Sequence, residues 1–423
     1  MSKAIVFKFG GASVKDAESI KNLFNILFKR LQTPMILVIS AIGKTTNALE
    51  EILKAKLNQE DYSLKCTILK DQHLNICESL FPKDHEIFQK VSFQFEMLLK
   101  ELHNPVDKEN YDEFYDQVIV FGELVSTLII QAYISYRDVP SIWLDARAII
   151  STNAEYRFAK VNWTSTQTQI NEILKPLTNH SLVVTQGFIG KDAFGKSTTL
   201  GREGSDFTAS ILAYCLDASA VTIWKDVEGV LNADPKKFKK TTKFEELDYH
   251  EAAELTYYGA SVIHPKTIKP LANKNIPLFV KSFLRPEGSG TKIHQVAKIN
   301  SVPCIVLKEA QILVTFKVTD FTFINEYHMH QVYSELEKLK LKVNLLQTSA
   351  ISISIVIDEQ LFKLEKLIKS LNSVFQIKYN TGLNLITIKN PTAKMIKKMM
   401  QDKVVLMEQI TRTTFQIVYK TSA

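Results

Sequence analysis

Several common features are scarce or absent in this sequence of 423 residues. Its four cysteines lie far apart, without the paired spacing of a zinc site, so we expect reduced, mostly buried thiols and no disulfides (Cys66, Cys77, Cys215 and Cys304). The longest apolar runs, such as Met35–Ile39, have the length of a strand and not of a membrane span. The N-terminus enters a strand pattern directly, without a signal-peptide segment. These absences predict a cytoplasmic protein with no membrane partner.

A large excess of one charge is absent from the first three hundred residues. The formal net charge is +7, and residues 305–423, with 16 lysines and arginines against 10 acidic residues, account for +6 of it. The lysines there follow apparent helices, as at Lys363, Lys366 and Lys369, without interleaved aromatic residues. Solvated helix faces have this pattern, and nucleic-acid-binding surfaces normally do not. We therefore expect no nucleic-acid partner.

The first three hundred residues alternate between strand-like and helix-like segments. This alternation predicts βαβ units and a mostly parallel sheet covered by helices, and therefore an α/β fold. The charged stretch between about Leu49 and Val118 is predicted to be a helical insertion, whose role the sequence does not indicate. The predicted strands are Ile5–Phe9, Met35–Ser40, Ser181–Thr185 and Ala220–Trp224, and the predicted long helices are Asp16–Arg30 and Val118–Tyr136.

After a loop at Arg285–Gly290 the pattern changes to short strands and helices. Residues 311–380 follow the βαββαβ order of a ferredoxin-like domain. Residues 381–423 repeat this order but stop before the last helix and strand, and the strand Cys304–Lys308 is predicted to complete their sheet. We therefore assign residues 1–292 to a first domain, 293–303 to a linker, 311–380 to a ferredoxin-like domain, and 304–310 with 381–423 to a shortened second one.

The end of the first strand carries a candidate phosphate-binding turn, Lys8-Phe9-Gly10-Gly11-Ala12-Ser13. Two glycines let backbone amides approach an anion closely, and the start of the next helix adds the positive end of its dipole. Lys8 is placed to neutralise a phosphoryl group, and Ser13 is predicted to cap the helix. An ordinary strand-to-helix turn with a surface lysine explains the same residues equally well.

The segment Gly190–Ser197 matches the Walker A pattern letter for letter. A phosphate-binding loop of that kind must be followed directly by a helix. Here the β-branched Thr198 and Thr199 follow, and Gly201 comes soon after. We interpret the segment as the tip of a β-hairpin and not as a nucleotide site.

Two further groups of polar residues are candidates for chemistry. The segment Gly201–Asp206 opens a helix; Arg202 can grip a carboxylate with two hydrogen bonds, and Ser205 or Asp206 can cap the helix. Lys225 and Asp226 directly follow a buried strand, where open α/β sheets bind ligands. The alternatives are a capped helix with a surface arginine, and a strand followed by an ordinary turn.

Taken in order, these segments resemble the aspartate kinase family of amino-acid kinases. The tail resembles the paired ACT regulatory domains of that family, so the resemblance implies an αβα sandwich followed by ferredoxin-like, ACT-type domains. The motifs that carry the resemblance are Lys8-Phe9-Gly10-Gly11, Ser40-Ala41 with Thr46-Asn47, Phe121-Gly122-Glu123, Gly201-Arg202 with Gly204-Ser205-Asp206, Lys225-Asp226 with Gly229 and Asp234-Pro235, and Tyr258-Gly259-Ala260 with His264-Pro265.

The resemblance implies transfer of the ATP γ-phosphate to the β-carboxylate of L-aspartate, the first step towards lysine, threonine and methionine. It also implies a homodimer joined by the ACT-like tail, and Mg²⁺ carried on the ATP phosphates without metal-binding residues of the protein. Lys8 and Asp206 are then expected to be catalytic. The expected substrate-binding residues are Ser40, Thr46, Glu123, Arg202 and Ser205, and the expected nucleotide-binding residues are Gly10, Gly11, Ser13, Lys225, Asp226, Leu231, Asp234 and Lys266.

Two departures from the family pattern affect what it implies. Ser261 stands where many members have a lysine, so Lys225 or Lys266 is expected to supply that charge. Asn344 stands where lysine-sensitive relatives have an aspartate. Because a neutral amide binds an ammonium group less strongly, we expect weak or absent inhibition by lysine. The alternatives are a kinase acting on glutamate, acetylglutamate or UMP, and a non-catalytic amino-acid sensor.

Overall fold

The computed structural model describes residues 3–31, 34–107, 109–178, 181–259, 263–296, 302–320 and 322–421. The chain divides into two compact units. The first contains the described parts of Met1–Val230, Lys243–Ala253 and Val262–Ile299, and the second those of Leu231–Thr242, Glu254–Ser261 and Asn300–Ala423. Ser261, the position that lacks the family's lysine, lies outside the described residues.

The first unit is built on a mostly parallel sheet. Its strands are β1 (Ile5–Phe9), β2 (Met35–Ile39), β3 (Ser141–Leu144), β4 (Leu182–Gln186), β5 (Ile189–Lys191), β6 (Ser197–Thr199), β7 (Ala220–Lys225), β8 (Glu246–Asp248), β9 (Leu278–Ser282) and β10 (Thr291–His294). Eight of them form one sheet in the order β3-β4-β2-β1-β7-β9-β10-β8, in which β9 and β10 pair antiparallel and the other neighbours are parallel. The predicted α/β fold is confirmed. Strands β5 and β6 form the hairpin predicted for Gly190–Ser197.

The stretch from about Leu49 to Val118, predicted to be a helical insertion, is helical: it covers most of the second helix, all of the third and fourth, and the start of the fifth. The described α-helices of the first unit are α1 (Ala17–Phe28), α2 (Thr45–Leu57), α3 (Ser63–Leu80), α4 (Ile87–Leu102), α5 (Tyr111–Tyr136), α6 (Trp163–Gln169), α7 (Lys175–Leu177), α8 (Gly204–Leu216), α9 (Tyr249–Tyr258), which ends in the second unit, and α10 (Pro265–Asn273). Helix α5 is the one described helix that is long and apolar enough to cross a membrane, but 72% of its apolar window is buried inside the fold. Its apolar side chains belong to the main core of this unit, as expected for a central core helix.

Two predicted helix caps are wrong. The N-cap of α1 is Asp16, whose carboxylate accepts the backbone N–H of Ser19 at 2.8 Å. Ser13 lies within a short 3₁₀ turn (Gly11–Val14) that precedes this helix, and the Ser13 hydroxyl donates to the carbonyl oxygen of Trp224 at 3.2 Å instead. Helix α8 begins one residue before Ser205, so Ser205 and Asp206 lie inside its first turn and neither caps it.

The second unit is one antiparallel sheet in the order β12-β13-β11-β14-β16-β15. Its elements are β11 (Cys304–Val318), α11 (Glu326–Lys338), β12 (Val343–Thr348), β13 (Ser352–Asp358), α12 (Leu361–Leu371), β14 (Phe375–Lys389), α13 (Ala393–Met400), β15 (Lys403–Ile410) and β16 (Thr414–Thr421). The long strands β11 and β14 run through both ferredoxin-like repeats, where separate short strands were predicted. Cys304–Lys308 pairs antiparallel with residues 385–389, which confirms that this strand completes the sheet of the second repeat.

Candidate active site

A cavity of about 480 Å³ lies at the carboxyl ends of β1, β2 and β7 and at the start of α8. Strands β1 and β7 are parallel neighbours, with Lys8 beside Ile223, so Lys8 and Lys225 project near the same sheet edge. The predicted site residues that line the cavity are Lys8, Gly11, Ser40, Thr46, Glu123, Arg202, Ser205, Asp206 and Lys225. Tertiary folding therefore brings together residues from five separate sequence segments.

Two lysines share one buried carboxylate at the centre of this cavity. Asp206 is 2% exposed, and its carboxylate oxygens lie 2.6 Å from the ammonium nitrogen of Lys8 and 3.4 Å from that of Lys225. Burial raises the pKa of Asp206, but the charges of Lys8 and then Lys225 outweigh this effect and hold the pKa below its ordinary value. Asp206 is therefore an anion that fixes both ammonium groups side by side.

Glu123, on α5, is a buried carboxyl group with one unused oxygen. Its side chain is 3% exposed, and Oε1 accepts a long hydrogen bond of 3.4 Å from the backbone N–H of Ala41. Oε2 is buried without a hydrogen-bond partner. Burial raises the pKa of Glu123 to about 8, with small opposing effects from hydrogen bonds and from Lys8. Such a group is ready to accept a cationic donor from a ligand.

The β2–α2 loop (Ser40–Lys44) is held close to the glycine-rich turn. The backbone N–H of Gly43 donates to the carbonyl oxygen of Gly11 at 3.1 Å. The hydroxyl of Ser126 donates to the backbone carbonyl oxygen of Ser40 at 2.8 Å. A Cβ atom at Gly11 would lie 2.8 Å from the carbonyl oxygens of Ala41 and Gly43, so only glycine allows this approach. The loop thereby places Ser40 and Thr46 at the cavity.

The entry to α8 supplies Arg202 and an unexpected glutamate. Arg202 is exposed and has no ion pair among the described residues, so its guanidinium is available to a ligand carboxylate. Glu203 adopts φ 55°, a left-handed conformation that is unfavourable for residues other than glycine. Its Oε2 is buried without a hydrogen-bond partner, and burial raises its pKa although Lys225 acts in the opposite direction.

Sequence reasoning missed Arg157, Tyr115 and Phe188, which also line this cavity. Arg157 is anchored by its backbone N–H, which donates to the fully buried Asp116 at 2.9 Å, and its guanidinium lies 4.2 Å from the ring centroid of Tyr115. The one sequence feature that could have indicated this contact is Asp116, an acidic residue within the mostly apolar helix α5. Arg157 itself lies in a loop that no local pattern distinguishes from other surface loops.

The remaining predicted residues are not part of the cavity lining. Gly10 leaves room beside Lys8, because a Cβ there would lie 3.3 Å from the ammonium nitrogen. Lys266 lines a different cavity of about 440 Å³, together with Trp163 and Phe207. Asp226 follows β7, and Ser13 bonds to Trp224, as described above. Leu231 and Asp234 belong to the second unit, where the Asp234 carboxylate accepts the backbone N–H of Lys236 at 2.9 Å.

Comparisons with known proteins identify the family of this chain. The sequence profile of the amino acid kinase family matches residues 3–282. Lysine-sensitive aspartokinase 3 of Escherichia coli is 29% identical over 402 residues, which are 92% of this chain and 87% of that protein. The aspartokinase of Chlamydia pneumoniae is 28% identical over 392 residues, 90% of this chain and 85% of that protein.

Solved structures give the same result. The crystal structure of E. coli aspartokinase III in complex with aspartate and ADP superposes with a TM-score of 0.86 at 26% identity, over 99% of this chain and 96% of that one. The aspartate kinase of Clostridium acetobutylicum, at 21% identity and a TM-score of 0.76, shares the fold. With its profile matched from residue 3 to residue 282, this chain belongs to the amino acid kinase family.

Proposed function

We propose that this protein is an aspartate kinase, which transfers the γ-phosphoryl group of ATP to the β-carboxylate of L-aspartate and produces 4-phospho-L-aspartate. One observation carries the proposal. A receptor for an α-amino acid, Glu123 with Arg202, lines the same cavity as the Lys8–Asp206–Lys225 group, which suits phosphates. An E. coli relative with the same fold was crystallised with aspartate and ADP.

Lys8 and Asp206 are the proposed catalytic residues. A carboxylate is already a nucleophile, so the protein needs to align it with the phosphorus atom and to neutralise charge on the transferring group. Lys8 supplies a positive charge for that group, and Asp206 keeps Lys8 and Lys225 in place, as the ion-pair distances of 2.6 and 3.4 Å support. The β-carboxylate oxygen forms a bond to phosphorus as the bond to the ADP oxygen breaks.

Aspartate is bound by other groups that line the same cavity. Arg202 grips the α-carboxylate, the unused Oε2 of Glu123 accepts the α-ammonium group, and Ser40 and Thr46 line the pocket for the side chain. Ser205 lies at the start of α8, where backbone N–H groups favour an anion. Together these groups select an amino acid with an acidic side chain.

ATP enters as its Mg²⁺ complex, and its phosphates lie against Gly10, Gly11, Ser13 and Lys225. Among the described residues no three His, Cys, Asp or Glu side chains are grouped so that they could hold a metal ion. Glu203 and Asp206 are the cavity carboxylates next to the proposed phosphate site, and the unpaired Oε2 of Glu203 fits a Mg²⁺ ion carried on the phosphates. Asp226, Leu231 and Asp234 stay predicted nucleotide contacts, whereas Lys266 lines a different cavity, so we assign to Lys225 alone the charge expected from either lysine.

The pathway, the cellular compartment and the oligomeric state are proposed from the reaction, the cysteines and the ACT-like tail. The product supplies the pathways to lysine, threonine and methionine, and we place the protein in the cytoplasm because its four cysteines are buried thiols that form no disulfide among the described residues. We also propose a homodimer through the ACT-like tail. The edge strand β15 exposes the apolar side chains of Val404, Leu406 and Ile410, and packing against a second copy would cover them. Sedimentation of the wild type and of a Leu406→Glu variant tests this assembly.

The test of the main proposal is ATP-dependent formation of an acyl phosphate, trapped as a hydroxamate. L-Aspartate is compared with L-glutamate, and the wild type with Lys8→Ala. Activity with aspartate alone that disappears in the variant supports both the substrate and the catalytic residue. Activity with glutamate alone identifies a different amino-acid kinase. A folded protein that binds ATP and modifies neither amino acid is a sensor.

A further inference from the structure

The helical insertion, to which the sequence assigns no role, sends one polar side chain into the core beside the β2–α2 loop. His73 on α3 is 1% exposed. Its ring lies 5.6 Å from that of Phe95 and borders two spaces, one of about 10 Å³ lined mainly by apolar side chains and a cavity of about 580 Å³ beside the β2–α2 loop. A polar ring in such surroundings is destabilising unless both nitrogens are hydrogen-bonded.

Both ring nitrogens of His73 have partners. Nδ1 lies 2.8 Å from the carbonyl oxygen of Leu69, and a carbonyl only accepts, so Nδ1 carries a proton. Burial lowers the pKa of His73, which keeps the ring neutral near pH 7. Nε2 is then an acceptor, and the hydroxyl of Thr45, 3.3 Å away, is the donor. The same hydroxyl lies 2.7 Å from the carbonyl oxygen of Ile42, so one proton serves two acceptors.

Thr45 joins this histidine to the substrate pocket. It is the first residue of α2 and directly precedes Thr46, which lines the catalytic cavity. On its other side Thr45 packs against α5, where a Cβ at Gly122 would lie 3.2 Å from the methyl carbon of Thr45. Gly122 is followed by Glu123, the proposed partner of the substrate ammonium group. Thr45 is therefore enclosed between His73 and the helix that carries Glu123.

We propose that His73 is a positioning residue for aspartate, which fixes Thr45 and thereby the start of α2 and the β2–α2 loop against the cavity. Ser40 and Thr46, at the two ends of this segment, face the amino-acid side of the site. Lys8 and Lys225 stand on β1 and β7, which the hydrogen bonds of His73 do not reach. Loss of His73 therefore affects aspartate binding more than ATP binding. The proposal rests on the proposed aspartate kinase activity.

The experiment compares His73→Leu, His73→Gln and the control Cys77→Ala by steady-state kinetics with each substrate varied. Cys77 is also fully buried and lies one turn further along α3, with no contact to the loop among the described hydrogen bonds. We expect His73→Leu to raise the KM for aspartate about tenfold, a typical consequence of one lost buried hydrogen bond, and to change the KM for ATP less than about twofold. The Gln variant, whose amide oxygen can accept from Thr45, should recover most of the loss. Cys77→Ala should leave both values near those of the wild type.

A double-mutant cycle with Thr45→Val separates positioning from general loosening of the fold. If His73 acts through Thr45, the effect of His73→Leu on the KM for aspartate nearly disappears in the Thr45→Val background. Additive effects, or equal changes in both KM values in His73→Leu and Cys77→Ala, overturn the proposal. Since Gln keeps the hydrogen bond, a folded His73→Gln protein with the full defect also contradicts it. Absence of aspartate kinase activity in the wild type would instead refute the proposed function.

Discussion

The raised pKa of Glu123 makes aspartate binding depend on pH in a specific direction. With a pKa of about 8, roughly nine in ten Glu123 side chains are protonated in the free protein at pH 7. The α-ammonium group of aspartate is bound by the ionised form, so each pH unit below 8 is expected to weaken apparent aspartate affinity about tenfold. The KM for aspartate should therefore fall from pH 6 to 8 and level off above.

Two measurements test this dependence. The first is the KM for aspartate between pH 6 and 8.5 in the wild type and in Glu123→Gln, which lacks the ionisable group and should show a high, nearly constant KM. The second is calorimetric titration with aspartate at pH 7 in two buffers of different ionisation enthalpy. We expect release of nearly one proton per aspartate bound in the wild type and almost none in the variant.

The same substitution is expected to stabilise the ligand-free protein at high pH. Because the pKa of Glu123 is raised in the folded state from its ordinary value of 4.5 to about 8, the neutral group stabilises the fold at low pH, and that contribution is lost progressively as the pH rises from about 4.5 to about 8. Complete ionisation costs the folded state on the order of 5 kcal/mol. Glu123→Gln should therefore melt well above the wild type at pH 9, less far above it at pH 6, and close to it only near pH 4.5. A wild-type KM that is flat from pH 6 to 8.5 would refute the reasoning.

Three further predictions concern the charged groups. Lys225→Ala should raise the KM for ATP about tenfold or more, while Lys266→Ala, which changes a different cavity, should leave it unchanged in the same steady-state assay. Asp206→Asn should lower kcat by about 10² to 10³ in single-turnover experiments, because Lys8 and Lys225 lose the carboxylate between them. Millimolar lysine should inhibit weakly or not at all, because the amide oxygen of Asn344 already accepts from Lys308 at 2.7 Å.

Each of these predictions has an outcome that contradicts it. An equal rise in the KM for ATP in Lys225→Ala and Lys266→Ala would place both lysines at the nucleotide. An unchanged KM for ATP in both variants would show that neither lysine contacts the nucleotide. A near-normal kcat in Asp206→Asn would show that the lysines are positioned without that carboxylate. Strong inhibition by sub-millimolar lysine would show that an effector reaches a site that does not depend on an aspartate at position 344.

Two of the predicted residues that line the cavity, Lys8 and Lys225, stand at the ends of buried parallel strands. Strands such as Met35–Ile39 are buried along their whole length, so their apolar runs are visible, and polar residues directly after them stand out. Lys225 was found in this way, and Lys8 by its position beside two glycines. The Walker A match was rejected for a related reason, since a β-branched pair follows it, and Lys196 of that segment is in fact paired with Glu113.

The features that the sequence did not reveal depend on contacts between distant segments. Arg157 reaches the cavity because its backbone donates to Asp116, which also accepts from the backbone and hydroxyl of Thr199 at 2.8 and 2.7 Å. No local pattern encodes that arrangement. The two predicted helix caps are wrong for a simpler reason. An error of a few residues in the predicted start of a helix changes which side chain meets the free backbone N–H groups.

Burial gives the proposed site a charge balance that depends on its ligands. Lys8, Lys225 and Arg202 are cationic, whereas the raised pKa of Glu123 keeps that group largely neutral at pH 7. With Asp206 as the ionised carboxylate at its centre, the free cavity carries excess positive charge, which favours the entry of anionic ATP and of the aspartate carboxylates. The ammonium group of aspartate then favours ionisation of Glu123, so the negative charge forms only when its partner is present. A glutamate in water would be ionised beforehand and would repel the phosphates.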